Sequence, residues 1–470
     1  MSQLLLKQQG FCLLVKGEAG TGKTTFALEI LRHSENPYYI SSRIQPASFV
    51  VQFPEMMDFL PPDRIIDAAQ IPEIEANPQL RESQPVYEKI QFRDLPEFFE
   101  ILVQKIEDLK KISPPTIVID TWDAIVEMDH INTGNIEIEK QNRIEQTFSE
   151  WVRQINVNII LITEHATTTA LDTIADGIIL LQDQRINDLR VRTIELQKLR
   201  SVKIRQPAYI FSLEGAHFRS FEPYRFRLPE ILLRPEKKDD LNMNTISTGM
   251  QSFDDFLQGG YSQGSWNLFE LSKGVGQGFL QLLIPTLVNH LTLGRGVVAA
   301  LPEGISLKSF EQYLEGFVES GKIAQQFTIF DRSAVIENVI SKAVTFGETL
   351  SETLEEMHRN EDLLASIYDL PVLKIYGLDK LEHVFSPEDV RRYITSEVAT
   401  TKNSQNIALA FIKEEQSFVG TFSHLATMHY KLELIDKALV IRGIQPQTSY
   451  VALYPVISGG YLDTKFIPIV

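Results

Sequence analysis

The stretch FCLLVKGEAGTGKTTFALEILRH, residues 11–33, decides the fold. Residues 11–16 form a short, mostly apolar run of the kind that a strand buried on both faces requires. Gly17, Glu18, Ala19, Gly20, Thr21, Gly22, Lys23, Thr24 and Thr25 follow, and a helical pattern opens near Thr24. Strand, glycine loop and helix in that order form the setting in which G-x-x-x-x-G-K-T carries chemistry. Glycines let successive backbone N–H groups turn toward phosphate oxygens, and the helix N-terminus adds its dipole. Residues Gly17 to Thr25 are therefore expected to bind ATP, with Lys23 at the β and γ phosphates and Thr24 as a ligand of Mg2+.

Such a loop needs a carboxylate at the end of a neighbouring strand. PPTIVIDTWDAI, residues 114–125, supplies Asp120 at the close of an apolar, largely β-branched run, and Asp120 is the expected Mg2+-side carboxylate. Asp123 either shares that role or caps the following helix. A further buried strand, NVNIILITEH (156–165), ends in Thr163, Glu164 and His165. In open α/β sheets the carboxyl ends of the strands face the ligand crevice, so Glu164 is a candidate for orienting water or sensing the nucleotide. YYISSR (38–43) reads as the second strand, with Arg43 at its end. In RVRTIELQKLR (190–200), period-two alternation puts Arg190, Arg192, Lys198 and Arg200 on one side, with Arg205 nearby. This is either an edge protected by charge or a surface directed at phosphate.

The 470 residues exceed the roughly 250–300 that a single core usually supports, so two domains are expected. Hydrophobic content of 43% and charged content of 23% fit a globular chain. A net charge of −17 opposes bulk attraction to nucleic acid or an anionic membrane, while leaving room for a local basic surface. No apolar run approaches the ~20 residues that span a bilayer, and the first residues lack the pattern of a signal peptide. Cys12 is the one cysteine, which rules out an intrachain disulfide and suits a reduced, cytoplasmic setting. The nine histidines show no zinc spacing.

Residues 234–244, RPEKKDDLNMN, read as a boundary between domains 1–235 and 236–470. Beyond it the elements return in the same order. ELSKGVGQGFLQLL (270–283) aligns with the phosphate loop, placing Leu271 at the first glycine, Gln277 at the lysine and Gly278 at the hydroxyl residue. PVLKIYGLDKL (371–381) aligns with the Asp120 strand and sets Tyr376 opposite Asp120. NIALAFIKEE (406–415) matches the Glu164 strand. Lys23 and Asp120 stand 97 positions apart, Gln277 and Tyr376 99, as a duplication would leave them. Glutamine, glycine and tyrosine replace lysine, threonine and aspartate, so Mg·ATP hydrolysis is not expected in the second half. Gln277 and Lys273 are the groups that could still touch a phosphate.

With these motifs the chain resembles tandem RecA-type P-loop ATPases, in the branch that includes the cyanobacterial circadian clock ATPase and archaeal gas-vesicle regulatory proteins. The resemblance is sharpest in ISTGMQSFDDFLQGGYSQGSWNLFELSKGVG, where Thr248, Gly249, Phe253, Asp254, Leu257, Gly259, Gly260, Gly264 and Ser265 match the branch's lead-in to its nucleotide strand. The first half lacks that lead-in. The resemblance implies an α/β fold of two RecA-like P-loop NTPase domains in tandem, the second degenerate. It also implies that Lys198 and Arg200 reach a nucleotide held by a neighbouring subunit, so that self-association accompanies activity. The family's paired glutamates after the second strand are replaced by Ser41-Ser42-Arg43-Ile44, so either Glu164 replaces the base or the site binds ATP and hydrolyses it slowly as a switch. In the second half that place reads Leu301-Pro302-Glu303.

These readings together describe an ATP-binding, slowly hydrolysing regulatory or assembly protein that works through protein contacts, with Mg2+ and without a membrane. The stretch from Pro54 to Pro96, with seven prolines, is either a surface insertion or a partner site. A DNA-associated recombinase accessory and a structural nucleotide-holding protein stay open as alternatives. Acidity counts against the first of these, and the basic stretch 185–205 keeps it in view.

Overall fold

The computed structural model describes residues 10–42, 44–68, 115–125, 145–146, 148, 157–164, 168–226, 234–332, 339–458 and 461–470. Its contacts divide into two compact units, Met1–Ser220 with Val470, and Phe221–Ile469.

The first unit is built on one sheet. Its strands are β1 (Cys12–Lys16), β2 (Pro37–Ser41), β3 (Ile65–Asp67), β4 (Thr116–Asp120), β5 (Asn158–Ile162), β6 (Gly177–Ile186), β7 (Leu189–Leu199), β8 (Ala208–Ser212) and β9 (Arg219–Ser220). They lie in the order β3-β2-β4-β5-β1-β6-β7-β8-β9. From β3 to β6 every pairing is parallel; β7, β8 and β9 continue antiparallel. The central strands are uniformly buried because both faces are covered. Leu13, Val15, Val118 and Ile162 pack against Phe26 and Leu31 of α1 (Lys23–Leu31) and against Phe49 of α2 (Pro46–Gln52). On the opposite face Cys12, Leu14, Ile119 and Leu161 meet Trp122, Phe148 and Leu171 of α3 (Ala170–Ile174).

One expectation is corrected here. The Asp120 strand is not the immediate neighbour of the loop strand, since β5 lies between β4 and β1. Glu164, just past β5, is therefore carried on the strand that separates loop from carboxylate.

The second unit repeats this walk across a sheet. A two-stranded hairpin, β10 (Thr245–Ile246) and β11 (Tyr261–Ser262), comes first with α4 (Gln251–Phe256) between its strands. The sheet itself contains β12 (Trp266–Leu271), β13 (Val297–Ala300), β14 (Phe327–Asp331), β15 (Lys342–Thr345), β16 (Leu373–Gly377), β17 (Ile407–Lys413), β18 (Met428–Ile435), β19 (Ala438–Gln445), β20 (Val451–Ser458) and β21 (Tyr461–Pro468). The order is β15-β14-β13-β16-β17-β12-β18-β19-β20-β21, parallel as far as β18 and antiparallel beyond. Each strand from β2 to β9 thus has a counterpart at the same place in the second sheet, as the sequence repeat requires.

The second unit's lead-in explains its own residues. Asp254 accepts the Thr248 N–H at 2.7 Å and the Ser247 hydroxyl, which closes the turn that starts α4. Gly260 has φ +101°, and a Cβ there would sit 2.3 Å from the Ile246 carbonyl oxygen, so no other residue fits the hairpin. Behind it, α5 (Leu280–Thr292) is buried over nearly its whole length.

Candidate nucleotide-binding site

The Gly17–Thr24 loop leaves the carboxyl end of β1 and turns into α1 at Lys23, with Gly22 in the left-handed conformation as its cap. Gly17 shows why the first glycine is required. Its φ is +152°, and a Cβ would lie 2.5 Å from the Leu181 carbonyl oxygen and 2.7 Å from the Thr21 hydroxyl. Glu18, Ala19 and Gly20 are exposed at the loop's tip. Lys23 is buried and donates to the Gly17 and Glu18 carbonyls, each at 2.7 Å. The ammonium is thus folded back over the loop, held by neutral acceptors that a phosphate oxygen outcompetes through charge.

Thr24 and Asp120 are brought together as expected: the Thr24 hydroxyl donates to Asp120 Oδ2 at 2.7 Å. The same oxygen accepts the hydroxyl of Tyr39 on β2. Ser42, at the place of the missing glutamates, secures the backbone instead, since its Oγ accepts the Thr121 N–H at 2.8 Å and donates to the Asp120 carbonyl at 3.1 Å. Asp123 accepts the Glu164 backbone N–H at 2.6 Å and so fixes the end of β5. Arg43 and His165 lie outside the described residues, as does most of the Pro54–Pro96 stretch.

Two features of the site had no warning in the motif. Lys16, only 2% exposed, forms an ion pair with Asp172 at 2.7 Å immediately before the loop. Burial works to raise the Asp172 carboxyl, but the Lys16 ammonium and the Thr169 N–H outweigh it and hold the pKa below the ordinary value. Arg192 of β7 donates through Nη1 to the Gly20 carbonyl at 2.9 Å and lies 3.7 Å from Asp183, bracing the loop from the side. A signal for Arg192 existed in the basic alternation of 190–200. Lys16 had none beyond a charged residue closing an apolar strand. Next to the loop tip an open cleft of about 520 Å³ is lined by Glu18, Thr21, Asp183, Arg185, Asp188 and Arg190.

The four basic residues do not share one side, contrary to the alternation. Ile179 pairs with Leu196, whereas the adjoining Ile178 pairs with Lys198, so Gln197 is an extra residue. A bulge of one residue reverses the facing of everything after it. Arg192 keeps to the α1 face and reaches the loop. Lys198 falls on the α3 face, where it donates to the Asp172 carbonyl at 2.9 Å, and Arg200 pairs with Asp176 at 2.7 Å. The backbones of both stand beside the start of β6.

The second loop differs in every part. A 3-10 turn over Gly276–Phe279 precedes α5, so no α-helix begins at the position of Lys23. Sheet register also corrects the alignment of its acidic position. Val15 pairs with Ile162 and Ile162 with Asp120. In the repeat Phe269 pairs with Phe411 and Phe411 with Gly377. Gly377, not Tyr376, therefore occupies the Asp120 place. Tyr376 points to the other face, where it stacks on Trp266 and donates to Glu397 at 2.9 Å. By the same register Leu434 and Leu439 stand where Asp183 and Arg192 stand in the first unit. Leu439 crowds Gly278 and Leu434 lies beside Gly274. The start of the loop is clasped by Glu414, which accepts the Lys273 N–H and the Ser272 hydroxyl, each at 2.8 Å. These donors, with Lys431, hold the Glu414 carboxyl below the ordinary glutamate value. Glu303 is paired with His383 at 3.1 Å.

The first site fits a nucleotide and its magnesium on its own chemistry. The amides of Ala19, Gly20 and Gly22 carry no hydrogen bond among the described residues. A cation, a hydroxyl and a carboxylate converge beside them. This arrangement defines a P-loop domain. Residues 1–200 match the family model of the GvpD gas vesicle protein, P-loop domain. The chain is 26% identical to Protein GvpD1 of Halobacterium salinarum, in an alignment covering 100% of this chain and 94% of that protein. It is 23% identical to Protein GvpD2 of the same organism, covering 94% and 90%. Its first 200 residues thus carry a P-loop domain similar to that of GvpD, and the whole chain is similar to these two proteins.

Proposed function

We propose that this chain is a gas-vesicle regulatory protein whose first domain binds Mg·ATP as a switch and whose second domain is a pseudo-ATPase that presents a protein-binding surface. The observation that carries the reading is the contrast between Lys23–Thr24–Asp120, gathered at one open loop, and a second loop roofed by leucines and lacking all three groups. In the first domain Lys23 would exchange the Gly17 and Glu18 carbonyls for the β and γ phosphates, while Thr24 and Asp120 would hold Mg2+. Bound magnesium supplies neutralisation of phosphate charge.

Slow turnover follows from what surrounds the site. Ser42 is committed to the backbone at Asp120, and on this reading Glu164, just past β5, would orient water in place of the glutamates. On this reading Lys198 and Arg200, which stand beside the start of β6, would act on a neighbouring copy's nucleotide and couple nucleotide state to self-association. The mixed charge of the cleft beside the loop, with Glu18, Asp183 and Asp188 among its arginines, gives no support to a nucleic-acid reading. Among the described residues no helix is long and apolar enough to cross a membrane.

Particle size by analytical ultracentrifugation, with ATP, ADP and no nucleotide, tests the proposal. A larger species with ATP is expected, lost in Lys23→Ala and in Arg200→Ala, with Arg200→Ala still binding nucleotide. Identical sizes in all conditions would reject an assembly switch.

A further inference from the structure

We propose that Tyr39 is a positioning residue for the magnesium-side carboxylate, committing one oxygen of Asp120 to protein donors so that the other stays presented to the ion. This inference rests on the Mg·ATP reading of the first domain.

Asp120 Oδ2 accepts two hydroxyls, from Thr24 at 2.7 Å and from Tyr39. Among the described residues Oδ1 accepts no hydrogen bond. A carboxylate at a strand end can rotate about its last torsion, and one donor leaves that rotation soft. Two donors from different elements, α1 and β2, fix it. Tyr39 is suited to the task. It is 1% exposed on β2, beside the strand that carries Asp120, so strand pairing sets its hydroxyl against the carboxylate. Its ring packs on Phe49 with centroids 4.4 Å apart. The Thr24 proton points at Asp120 in this arrangement, which leaves the hydroxyl's lone pairs for the metal. Outer donors of this kind commonly change metal affinity by about 10–100-fold when removed.

Tyr39→Phe removes a single oxygen and keeps the ring. Affinity for a fluorescent ATP analogue would be measured in EDTA and then across a Mg2+ titration, with melting curves as a control for folding. The expected result is unchanged affinity in EDTA and a Mg2+ midpoint raised about tenfold. A second variant, Phe49→Leu, loosens the packing but keeps the hydroxyl, and its midpoint should stay near that of the unsubstituted chain. If Phe49→Leu shifts the midpoint as far as Tyr39→Phe does, the residue acts through packing and the inference fails. An unmoved midpoint in Tyr39→Phe, with the unsubstituted chain clearly Mg2+-dependent, overturns this inference alone. An unsubstituted chain whose binding ignores Mg2+ overturns the Mg·ATP reading and this inference with it.

Discussion

The two halves of this chain place the same strands in the same order and spend the end of the sheet in opposite ways. In the first, the loop tip is open, its lysine is held by carbonyls it can leave, and Arg192 braces it from the side. In the second, Leu434 and Leu439 take the places of Asp183 and Arg192, and Glu414 already occupies the donors at the loop's start. Lost motif residues alone would leave an empty site. Here the surrounding residues have changed as well, from a polar brace to an apolar roof. Restoring a lysine at Gln277 would therefore not restore a site, because the space and the carboxylate are both missing.

The largest expected effect would break the comparison if absent. Lys23→Ala removes the buried cation folded over the loop and should weaken ATP binding on the order of a thousandfold, about 4 kcal/mol. Calorimetry on the unsubstituted chain should give one nucleotide per chain, and two would show that the second loop is a working site. Next, Leu439→Ala opens a void over the second loop and should cost that domain about 3 kcal/mol of unfolding free energy. Denaturant unfolding would measure it, with ATP binding by the first domain unchanged.

The smallest effect separates the domains by pH. Burial and the Arg295 charge push His290, on α5, down to about 3. Unfolded, the same imidazole takes up its proton near 6.5, so the unfolded state binds the extra proton between those values. The second domain should lose stability as pH falls from about 6.5, by at most about 1.4 kcal/mol per pH unit. His358 acts in the other direction, since its hydrogen bond to Glu397 raises its pKa and completes its gain above that interval. Denaturation at pH 6 and pH 5 should show the slope, and His290→Leu should flatten it. Asp172 in the first domain, with its lowered pKa, contributes stability that is lost only as pH falls through the more acidic carboxylate range.

Much of this was legible in the residues. A nine-residue loop between an apolar strand and a helix admits few folds, and the repeat of its flanking strands gave the second domain. Thr24 and Asp120 meet because the loop and a strand end have fixed places in such a sheet. The misreadings share a cause: strand register is not written in local pattern. Ile375-Tyr376-Gly377 aligns by eye one residue away from where the sheet sets it, and one residue is enough to turn Tyr376 to the opposite face. Tyr39 was hidden for a similar reason. Its contact with Asp120 joins neighbouring strands that are far apart in sequence, and an aromatic in a strand ordinarily signals only packing.

The extra residue at Gln197 gives β7 two addressees. Basic side chains before it are delivered to the chain's own loop, and those after it are handed to the reverse surface. Deleting Gln197 would redirect Lys198 and Arg200 inward without altering either of them. A single strand can thus turn basic side chains to both faces of its sheet by one extra residue.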